Sequence, residues 1–352
     1  MRLAGYLVLV ILGTLLAGMV DEAFGQTSDR FPINVGGKKG FIDGRGKIVI
    51  APKYAELGQF HEGVAAVLRD GKWGYVDTAG TEVVPVVYRD AGSFSEGIAL
   101  VMDGSGRTGY IDHQWQMKTL DCIPPSPESD MFEKIPPPFS EGLTEVELDQ
   151  QTAYIDRACN KVFIRPGKGN RFSEGLAGVC TDDKCGYVDH SGKVVISLQF
   201  TFAGRFSEGL AHVDIANGAG YVDRSGKIVI QPQFGQGSRD FHEGLAAVQI
   251  EKLMGYIDKS GKIVVPAKYN LVHDFSEGVA EVQHPLIRKI VNGREENAGG
   301  LDIIFITHAG TQAITSSFDP TFAEGFAGGL AEVMIDWRAS YINHQGVVIW
   351  PH

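Results

Sequence analysis

The sequence predicts an all-β protein built from tandem antiparallel repeats of about 34 residues, and three observations support this prediction. The first is a recurring phrase of Phe, a small polar residue or His, Glu, Gly, an apolar residue and Ala. The second is that Gly-Tyr-(Ile/Val)-Asp and then Gly-Lys-x-Val-Ile, or variants of them, follow each phrase. The third is that the apolar runs are four to six residues long, rich in Val, Ile and Tyr, and separated by Gly or Pro, which is typical of strands.

The spacing of the phrase defines the repeat. Clear copies begin at Phe60, Phe94, Phe172, Phe206, Phe241 and Phe275, and looser copies begin at Phe139 and Phe326. Successive phenylalanines are 34, 45, 33, 34, 35, 34 and 51 residues apart. Two insertions, near 121–138 and 284–300, therefore interrupt a regular period.

One clean unit, residues 241–269, shows the elements in order. Its phrase leads into a strand, and a second strand ends at Asp258, where Asp-Lys-Ser-Gly-Lys predicts a tight hairpin. Asp can accept a bond from the backbone two residues ahead, and Gly accepts a positive φ. Pro266 is expected to end the third strand because it has no N–H to donate, and Tyr269 to pack a short fourth segment at an edge. Each unit is therefore predicted to be a three- to four-stranded antiparallel meander.

The number of units limits the architecture. About nine second strands can be counted, centred on Phe41, Tyr75, Tyr110, Tyr154, Tyr187, Tyr221, Tyr256, Phe305 and Tyr341. A single meander cannot bury its apolar face alone, so the units must pack on one another. Radial packing would give a β-propeller, although four to eight blades are usual. Stacking without closure would give an open β-solenoid or superhelical array, and the propeller is the favoured prediction.

The first 25 residues are predicted to be a signal peptide. Arg2 precedes an uncharged apolar run from Leu3 to Val20, and Ala23 and Gly25 supply small residues for cleavage before Gln26. The repeat domain is then residues 26–352, and the mature chain is expected to be periplasmic or extracellular, with no stable membrane span. An uncleaved run would instead anchor the chain in a membrane.

The net charge limits the classes of partner that the chain is expected to bind. The 352-residue chain has a formal net charge of −11, which argues against nucleic acid as a partner because phosphates require a basic face.

Export permits disulfides, and the candidates are Cys122, Cys159, Cys180 and Cys185. Cys180 ends one predicted strand and Cys185 begins its hairpin partner, so these two could pair across the connection, and Cys122 would then pair with Cys159. Four cysteines allow three connectivities, and the sequence alone does not choose among them. A zinc site is disfavoured because Cys-x-x-Cys is absent.

The repeat resembles the WG, or KWG, repeat of bacterial proteins. The shared pattern is aromatic-x-Glu-Gly-Leu-Ala, then Lys-Trp-Gly-(Tyr/Phe)-Ile-Asp, then Gly-Lys-x-Val-Ile-x-Pro, and it extends from about Ile33 to Pro351. The defining Trp is present only as Trp73, and other residue types take its place elsewhere: Lys39, Thr108, Cys185, Ala219 and Met254. The resemblance implies a structural repeat without a settled common activity.

The recurring carboxylates admit two interpretations. One Glu and one Asp recur at fixed positions, as Glu62, Glu96, Glu141, Glu174, Glu208, Glu243 and Glu277 and as Asp43, Asp77, Asp112, Asp156, Asp189, Asp223 and Asp258. A ring of acids could bind cations at one mouth of the array. The favoured interpretation is structural, with each Asp organising a hairpin and each Glu accepting bonds from backbone N–H groups at a strand entry.

No catalytic, cofactor-binding or metal-binding residues are predicted. The ten histidines form no metal or catalytic pattern, and neither a Gly-x-Ser-x-Gly elbow nor a phosphate loop is present. The chain is therefore predicted not to be an enzyme and to need no cofactor.

The two insertions are the predicted places for specific function. The Pro-rich segment Asp121–Pro138 is interpreted as a stiff surface loop, with docking on an aromatic groove as the alternative. The segment His284–Gly300 is interpreted as an extended hairpin with Asn292-Gly293 at its turn. Its basic cluster of Arg288, Lys289 and Arg294 is the candidate interaction loop.

The function predicted from these features is that of an exported scaffold that binds another protein through an extended β-repeat surface. The alternative is a module that binds cell-wall or secreted polysaccharide, since sugar faces stack on aromatic rings. Most Tyr and Phe residues fall on predicted core positions, and the only tryptophans are Trp73, Trp115, Trp337 and Trp350, which favours the protein scaffold.

Overall fold

The structure, a computed structural model, describes residues 30–120, 137–148, 151–215, 218–285, 288–291, 294–297, 303–314, 322–335 and 338–351. Within these ranges every regular element is a β-strand. No helix in this part of the chain is long and apolar enough to cross a membrane. The predicted signal peptide lies outside the described residues, and so does the Pro-rich insertion except for Pro137 and Pro138.

The described strands form nine small antiparallel sheets and one separate hairpin. Blade 1 contains β1 (Phe31–Val35), β2 (Lys38–Ile42) and β3 (Ile48–Tyr54). Blade 2 contains β4 (Glu56–Leu57), β5 (Val64–Arg69), β6 (Lys72–Asp77) and β7 (Glu82–Tyr88). Blade 3 contains β8 (Asp90–Ala91), β9 (Ile98–Met102), β10 (Thr108–Asp112) and β11 (Met117–Thr119).

The middle blades repeat the same order. Blade 4 contains β12 (Leu143–Leu148), β13 (Gln151–Asp156) and β14 (Lys161–Pro166). Blade 5 contains β15 (Lys168–Gly169), β16 (Ala177–Thr181), β17 (Lys184–Val188) and β18 (Val194–Phe200). Blade 6 contains β19 (Phe202–Ser207), β20 (Leu210–Ile215), β21 (Gly218–Asp223) and β22 (Ile228–Phe234).

The last blades include the second insertion. Blade 7 contains β23 (Phe241–His242), β24 (Leu245–Ile250), β25 (Leu253–Asp258) and β26 (Ile263–Tyr269). Blade 8 contains β27 (Leu271–Val272), β28 (Val279–Gln283) and β31 (Ile303–Thr307), with the hairpin β29 (Arg288–Val291) and β30 (Arg294–Asn297) between the last two. Blade 9 contains β32 (Phe322–Ala323), β33 (Leu330–Ile335), β34 (Arg338–Asn343) and β35 (Val348–Trp350).

Burial shows which strand of a blade faces solvent. In most blades the last strand alternates exposed and buried residues, and its exposed apolar side chains include Ile48, Val87, Val195, Val229 and Ile263. The strand that follows the Phe-x-Glu-Gly phrase is almost wholly buried, as in Val64–Val67 and Leu245–Val248. A complete four-stranded blade therefore runs from an inner first segment, through buried strands, to an outer edge strand, as in a propeller.

Blade 9 packs on blade 1, which closes the ring. Phe31 and Ile33 of blade 1 share a core cluster with Leu330 and Tyr341 of blade 9. The rings of Phe31 and Tyr341 are 5.6 Å apart, and the Tyr341 hydroxyl donates to the Pro32 carbonyl at 2.8 Å. The all-β repeat prediction is confirmed, and closure identifies the nine-bladed propeller rather than an open array.

The glycine that follows the Trp position is required by a bulge in the edge strand. In blade 6, Ala219 pairs with Phe234 and Tyr221 pairs with Ile230, so the edge strand has extra residues around Pro232. A Cβ on Gly220 would lie 2.6 Å from the Ile230 carbonyl oxygen. This close approach explains why the glycine recurs from repeat to repeat although the tryptophan before it does not. The prediction that the proline ends the strand was wrong, because an edge strand can bulge around a residue without an N–H and resume pairing beyond it.

The repeated tyrosine holds the inner segment of the next blade. Tyr221 of blade 6 donates to the Arg239 carbonyl of blade 7 at 2.7 Å, and Tyr256 of blade 7 donates to the His273 carbonyl of blade 8. Tyr75, Tyr154 and Tyr187 make the same contact with Gly92, Asn170 and Gly204. These hydroxyls therefore fix the backbone two residues before each phrase, at the centre of the ring.

Candidate functional site

The repeated glutamates join neighbouring blades. The Glu208 carboxylate of blade 6 accepts from the Gly244 N–H of blade 7 at 3.0 Å, and the six other copies reach the equivalent glycine in the same way. The predicted structural role at a strand entry is therefore confirmed, and the strand entered is that of the next blade. The described residues contain no group of three or more His, Cys, Asp or Glu side chains that could hold a metal ion.

Four histidines occupy one repeat position beside these glutamates. Each follows the second strand and stacks on the phrase phenylalanine of its own blade, as His344 does on Phe326 with ring centroids 4.0 Å apart. Its Nε2 faces the glutamate of the preceding blade, as His344 faces Glu277 at 3.0 Å. The other members are His113, His190 and His308. These histidines are thus part of the ring structure.

The repeated aspartates organise the outer hairpins as the sequence predicts. Asp189 Oδ1 accepts from the backbone N–H groups of Ser191 and Lys193. The Ser191 hydroxyl also donates to Asp189, and this bond helps to hold the pKa of the carboxyl below its ordinary value. The repeated aspartates and glutamates therefore make structural hydrogen bonds to the backbone.

The residues that differ from blade to blade line a cavity of about 520 Å³ near the centre of the ring. They come from the inner segments of blades 5 to 8 and from the third residue of the buried strand after the phrase. With Glu145 of blade 4, five consecutive blades contribute to this cavity, which is possible only if these segments face the axis. The lining residues used below are Glu145, Asn170, Arg171, Phe202, Arg205, His212, Arg239, Asp240, His242 and Asp274.

Three arginines from three successive blades face this cavity. Arg171, Arg205 and Arg239 belong to blades 5, 6 and 7. Among the residues that the structure describes, none of these guanidinium groups makes an ion pair within 4 Å or a side-chain hydrogen bond, and the Nε of Arg171 is buried without a partner. Guanidinium groups bind carboxylates and phosphates in a bidentate manner. We call these three residues the arginine arc.

The acids and histidines of the cavity are partly desolvated. Burial raises the pKa of Glu145 and of Asp240, while the nearby Arg205 opposes that rise in both. His212 Nε2 lies 2.9 Å from Asp214 Oδ1 inside the wall, and burial lowers the pKa of this histidine. His242 faces Asp274 at 3.6 Å. The cavity thus combines hydrogen-bond acceptors with the arginine arc.

A second, acidic cluster lies on the adjoining wall of blades 8 and 9. Glu281 occupies the repeat position of Glu145 and His212, is only 3% exposed, and has a carboxylate oxygen, Oε2, without a hydrogen-bond partner. Burial and then the Glu324 charge raise the pKa of Glu281 to about 7. Burial and Glu324 also raise the pKa of Glu332. We call Glu281, Glu324 and Glu332 the glutamate cluster.

The backbone of the predicted interaction loop forms a hairpin. Arg288–Val291 pairs with Arg294–Asn297 in antiparallel register. The predicted turn, Asn292-Gly293, lies outside the described residues. The basic cluster of Arg288, Lys289 and Arg294 is therefore located on a hairpin between two strands of blade 8, and its role in binding stays a prediction.

Two of the candidate cysteines form a cross-strand disulfide. Cys180 and Cys185 face each other in the pairing of β16 with β17 and are bonded. Cys159 is also disulfide-bonded, while Cys122 lies outside the described residues.

Sequence reasoning missed the arginine arc and the glutamate cluster. Both occupy positions next to repeat-wide residues, either just before the phrase or at the third residue of the strand that follows it. A comparison of the repeats with one another carries the signal. The two residues before the phenylalanine are uncharged in blades 2 to 4 but include a charged or imidazole side chain in blades 5 to 9. Only the ring geometry brings these separated positions onto one wall.

Comparisons with known proteins concern the repeat and the fold. The family described as WG containing repeat matches residues 40–73, 73–105, 186–217, 220–253 and 254–284. The crystal structure of a eukaryotic initiation factor is similar with a TM-score of 0.61 at 9% identity, and the alignment covers 91% of this chain and 94% of that chain. The crystal structure of BamB from Moraxella catarrhalis aligns over 74% of this chain and 92% of that chain, at 13% identity and a TM-score of 0.45. No curated protein matches the sequence. At such identities the initiation factor supports the fold alone.

Proposed function

Because the chain is a WG-repeat protein whose nine blades close into a propeller, we propose that it is an exported, non-enzymatic scaffold that binds a protein partner in the cell envelope or outside the cell. The observation that carries this proposal is that the side chains shared by all repeats and the side chains that vary between repeats have different contacts. The repeat-wide Tyr, Glu and Asp side chains bind neighbouring backbone, whereas the guanidinium groups of the arginine arc face an open cavity and have no partner among the described residues. A rigid ring that presents non-repeating charges is suited to recognition.

Two features support export. The run from Leu3 to Val20 with the small residues Ala23 and Gly25 has the pattern of a cleaved leader. The Cys180–Cys185 disulfide fits an oxidising compartment, in which such bonds persist. We therefore place the mature chain in the periplasm or outside the cell, with membrane anchoring as the alternative if the leader stays uncleaved.

The contacts of the cavity support the non-enzymatic part of the proposal. The Ser238 hydroxyl donates to the Gly235 carbonyl rather than facing a histidine, and His212 Nε2 is engaged by Asp214. A hydroxyl nucleophile needs a general base within hydrogen-bond reach. We infer that these polar groups orient a bound partner.

The test is affinity capture of the tagged mature chain after mild cross-linking in its native envelope. Three altered versions are compared with it: Arg205→Gln with Arg239→Gln, a version lacking residues 284–300, and Arg45→Gln on the outer hairpin of blade 1 as the control. We expect a defined protein that is retained by the control and lost from one of the other two. The purified partner should then bind the purified chain with the same pattern. Recovery of no protein, or equal recovery by all versions, would refute the scaffold.

Carbohydrate binding is the second candidate, and Phe202 is the observation that favours it. This side chain is 44% exposed although it lines the cavity, where it lies beside polar groups. An exposed ring next to hydrogen-bonding groups can stack on a sugar face. Retention of the mature chain on purified cell-wall polysaccharide, with loss in Phe202→Ala, would support this candidate in place of the protein scaffold.

A further inference from the structure

The arginine arc is available to bind an anion from outside the chain. Other arginines at blade surfaces have carboxylate partners, for example Arg69 with Glu82 and Arg157 with Glu96. Arg171, Arg205 and Arg239 have none within 4 Å among the described residues, although they line the same cavity as Glu145 and Asp240. Three positive groups around one partly enclosed cavity form a receptor for a carboxylate or a similar planar anion.

The glutamate cluster can accept a cation or a hydrogen-bond donor from outside the chain. A buried carboxylate oxygen without a hydrogen bond is costly, and Glu281 Oε2 is in that state in the wall. His273 Nδ1 is the nearest basic atom but lies 3.8 Å away, which is too far for a hydrogen bond. Burial, and then the charge of Arg239, lower the pKa of His273, so this imidazole is poorly suited to neutralise Glu281. Glu324 is exposed, Glu332 is half-buried and Glu281 is buried, and the charge of Glu324 acts on both of the other two carboxylates.

The two charged sets are neighbours along the wall. The charges of both Arg239 and Glu324 act on His273 of blade 8. Glu324 in turn acts on Glu281 and Glu332. The wall therefore carries the arginine arc at blades 5 to 7 and the glutamate cluster at blades 8 and 9.

We propose that this wall binds a dipolar peptide segment, whose carboxylate contacts the arginine arc and whose ammonium or guanidinium group contacts Glu324 of the glutamate cluster. The inference rests on the proposed protein-binding function and names the chemistry of the segment that docks. An acidic saccharide would satisfy the arginine arc but would bring no cation to the glutamate cluster. A peptide supplies both charges on one short chain, together with backbone N–H donors for Asp240 and Asp274.

The test uses capped synthetic peptides and the full mature chain. The probe is acetyl-Asp-Ala-Ala-Lys-amide, with versions that carry one or three alanines between the charges. Asn-for-Asp and Gln-for-Lys peptides remove one charge at a time. Binding is followed by two-dimensional NMR at millimolar peptide, and oligogalacturonate is titrated as the acidic-saccharide probe. We expect at least one dipolar peptide to bind about tenfold more tightly than either of its singly charged versions.

Variants connect each charge to its receptor. Arg205→Gln should remove the advantage of Asp over Asn, and Glu324→Gln should remove the advantage of Lys over Gln. Arg45→Gln, on the outer hairpin of blade 1, should change neither. Equal binding of dipolar and singly charged peptides, binding of none of them, or Arg205-dependent binding of oligogalacturonate alone would overturn the inference.

Failure of this inference can be distinguished from failure of the scaffold. If a captured partner still binds the purified chain while every dipolar peptide fails, the scaffold stands and this docking chemistry is wrong. If the capture experiment recovers no partner, the scaffold itself falls.

Discussion

At the scale of single residues, the repeated glutamate shows how strain is compensated in this ring. All seven copies have a φ between 51° and 54°, in the left-handed region that favours glycine. Such a conformation costs about 1–3 kcal/mol for a residue other than glycine. The carboxylate offsets that cost by accepting the N–H of the next blade. In blade 9 no such contact to blade 1 is made, and Gly328 occupies the position at a φ of 61°.

This balance predicts different effects for two substitutions of Glu208. Glu208→Ala loses the contacts with Gly244 and Lys259 but keeps the strained φ. Glu208→Gly loses the same contacts and relieves the strain. We expect Glu208→Ala to lower the free energy of unfolding by about 2 kcal/mol and Glu208→Gly to lower it by about 1 kcal/mol. Urea unfolding measures both values. Equal losses would contradict the strain argument, and a change in Ca²⁺ affinity would revive the cation-ring interpretation.

The buried Glu281 predicts a dependence of stability on pH. Its pKa in the folded chain is raised to about 7 from an ordinary 4.5, so the folded state holds more protons than the unfolded state between these values. Stability should therefore fall as the pH rises from about 4.5 through 7. Glu281→Gln should remove this loss and be more stable than the native chain at pH 8, on the order of 3 kcal/mol.

Thermal or urea unfolding at several pH values checks this prediction. The difference between Glu281→Gln and the native chain should shrink toward zero near pH 4.5. The exposed Glu147→Gln serves as the control and should show no such pH-dependent gain. A constant difference at all pH values would show that the effect comes from packing rather than from ionisation.

At the scale of the strand and the blade, the sequence predicted contacts within a unit but not contacts between units. Short apolar runs, the Asp-x-Ser-Gly-Lys turns and the 34-residue period predicted the meander. Tyr221 could be predicted to be buried, because its strand is apolar, but not to bond the Arg239 carbonyl. That contact, the Glu208–Gly244 contact and the cavity depend on how one blade is placed against the next. The sequence period leaves this placement open because it is compatible with both a closed ring and an open array.

The tyrosine contact predicts a difference between two identical substitutions. Tyr221→Phe removes the hydroxyl that holds the inner segment of blade 7, and we expect a loss of about 1 kcal/mol in the free energy of unfolding. Tyr110→Phe at the same repeat position is the matched control, because the Tyr110 hydroxyl makes no hydrogen bond with a described residue. We expect it to change stability by less than about 0.5 kcal/mol. Equal losses in the two variants would mean that the interblade bond adds no net stability.

At the scale of the whole molecule, the described strands close the ring without a strand shared between blade 9 and blade 1. Every blade is built from strands that are consecutive in the described chain, apart from the inserted hairpin. The seam between blade 9 and blade 1 therefore depends on side chains, chiefly Phe31, Ile33 and Leu330, and on the Tyr341–Pro32 bond. It also lacks a Glu-to-Gly contact, since Gly328 replaces the glutamate. The seam should be the interface at which the ring opens first.

Hydrogen exchange on Phe31→Ala tests this seam. Truncation of a buried aromatic side chain costs about 3–5 kcal/mol, and at a closed seam this loss should act on both sides of the interface. We expect faster amide exchange in β1 and β2 of blade 1 and in β34 of blade 9, with blades 4 to 6 still protected. Phe241→Ala in blade 7 is the matched control, because it should deprotect blades 6 and 7 and leave the seam intact. Loss of protection in blade 1 alone would show that the stability of blade 9 does not depend on closure. An interface that stabilises both blades must lose protection on both of its sides when Phe31 is truncated.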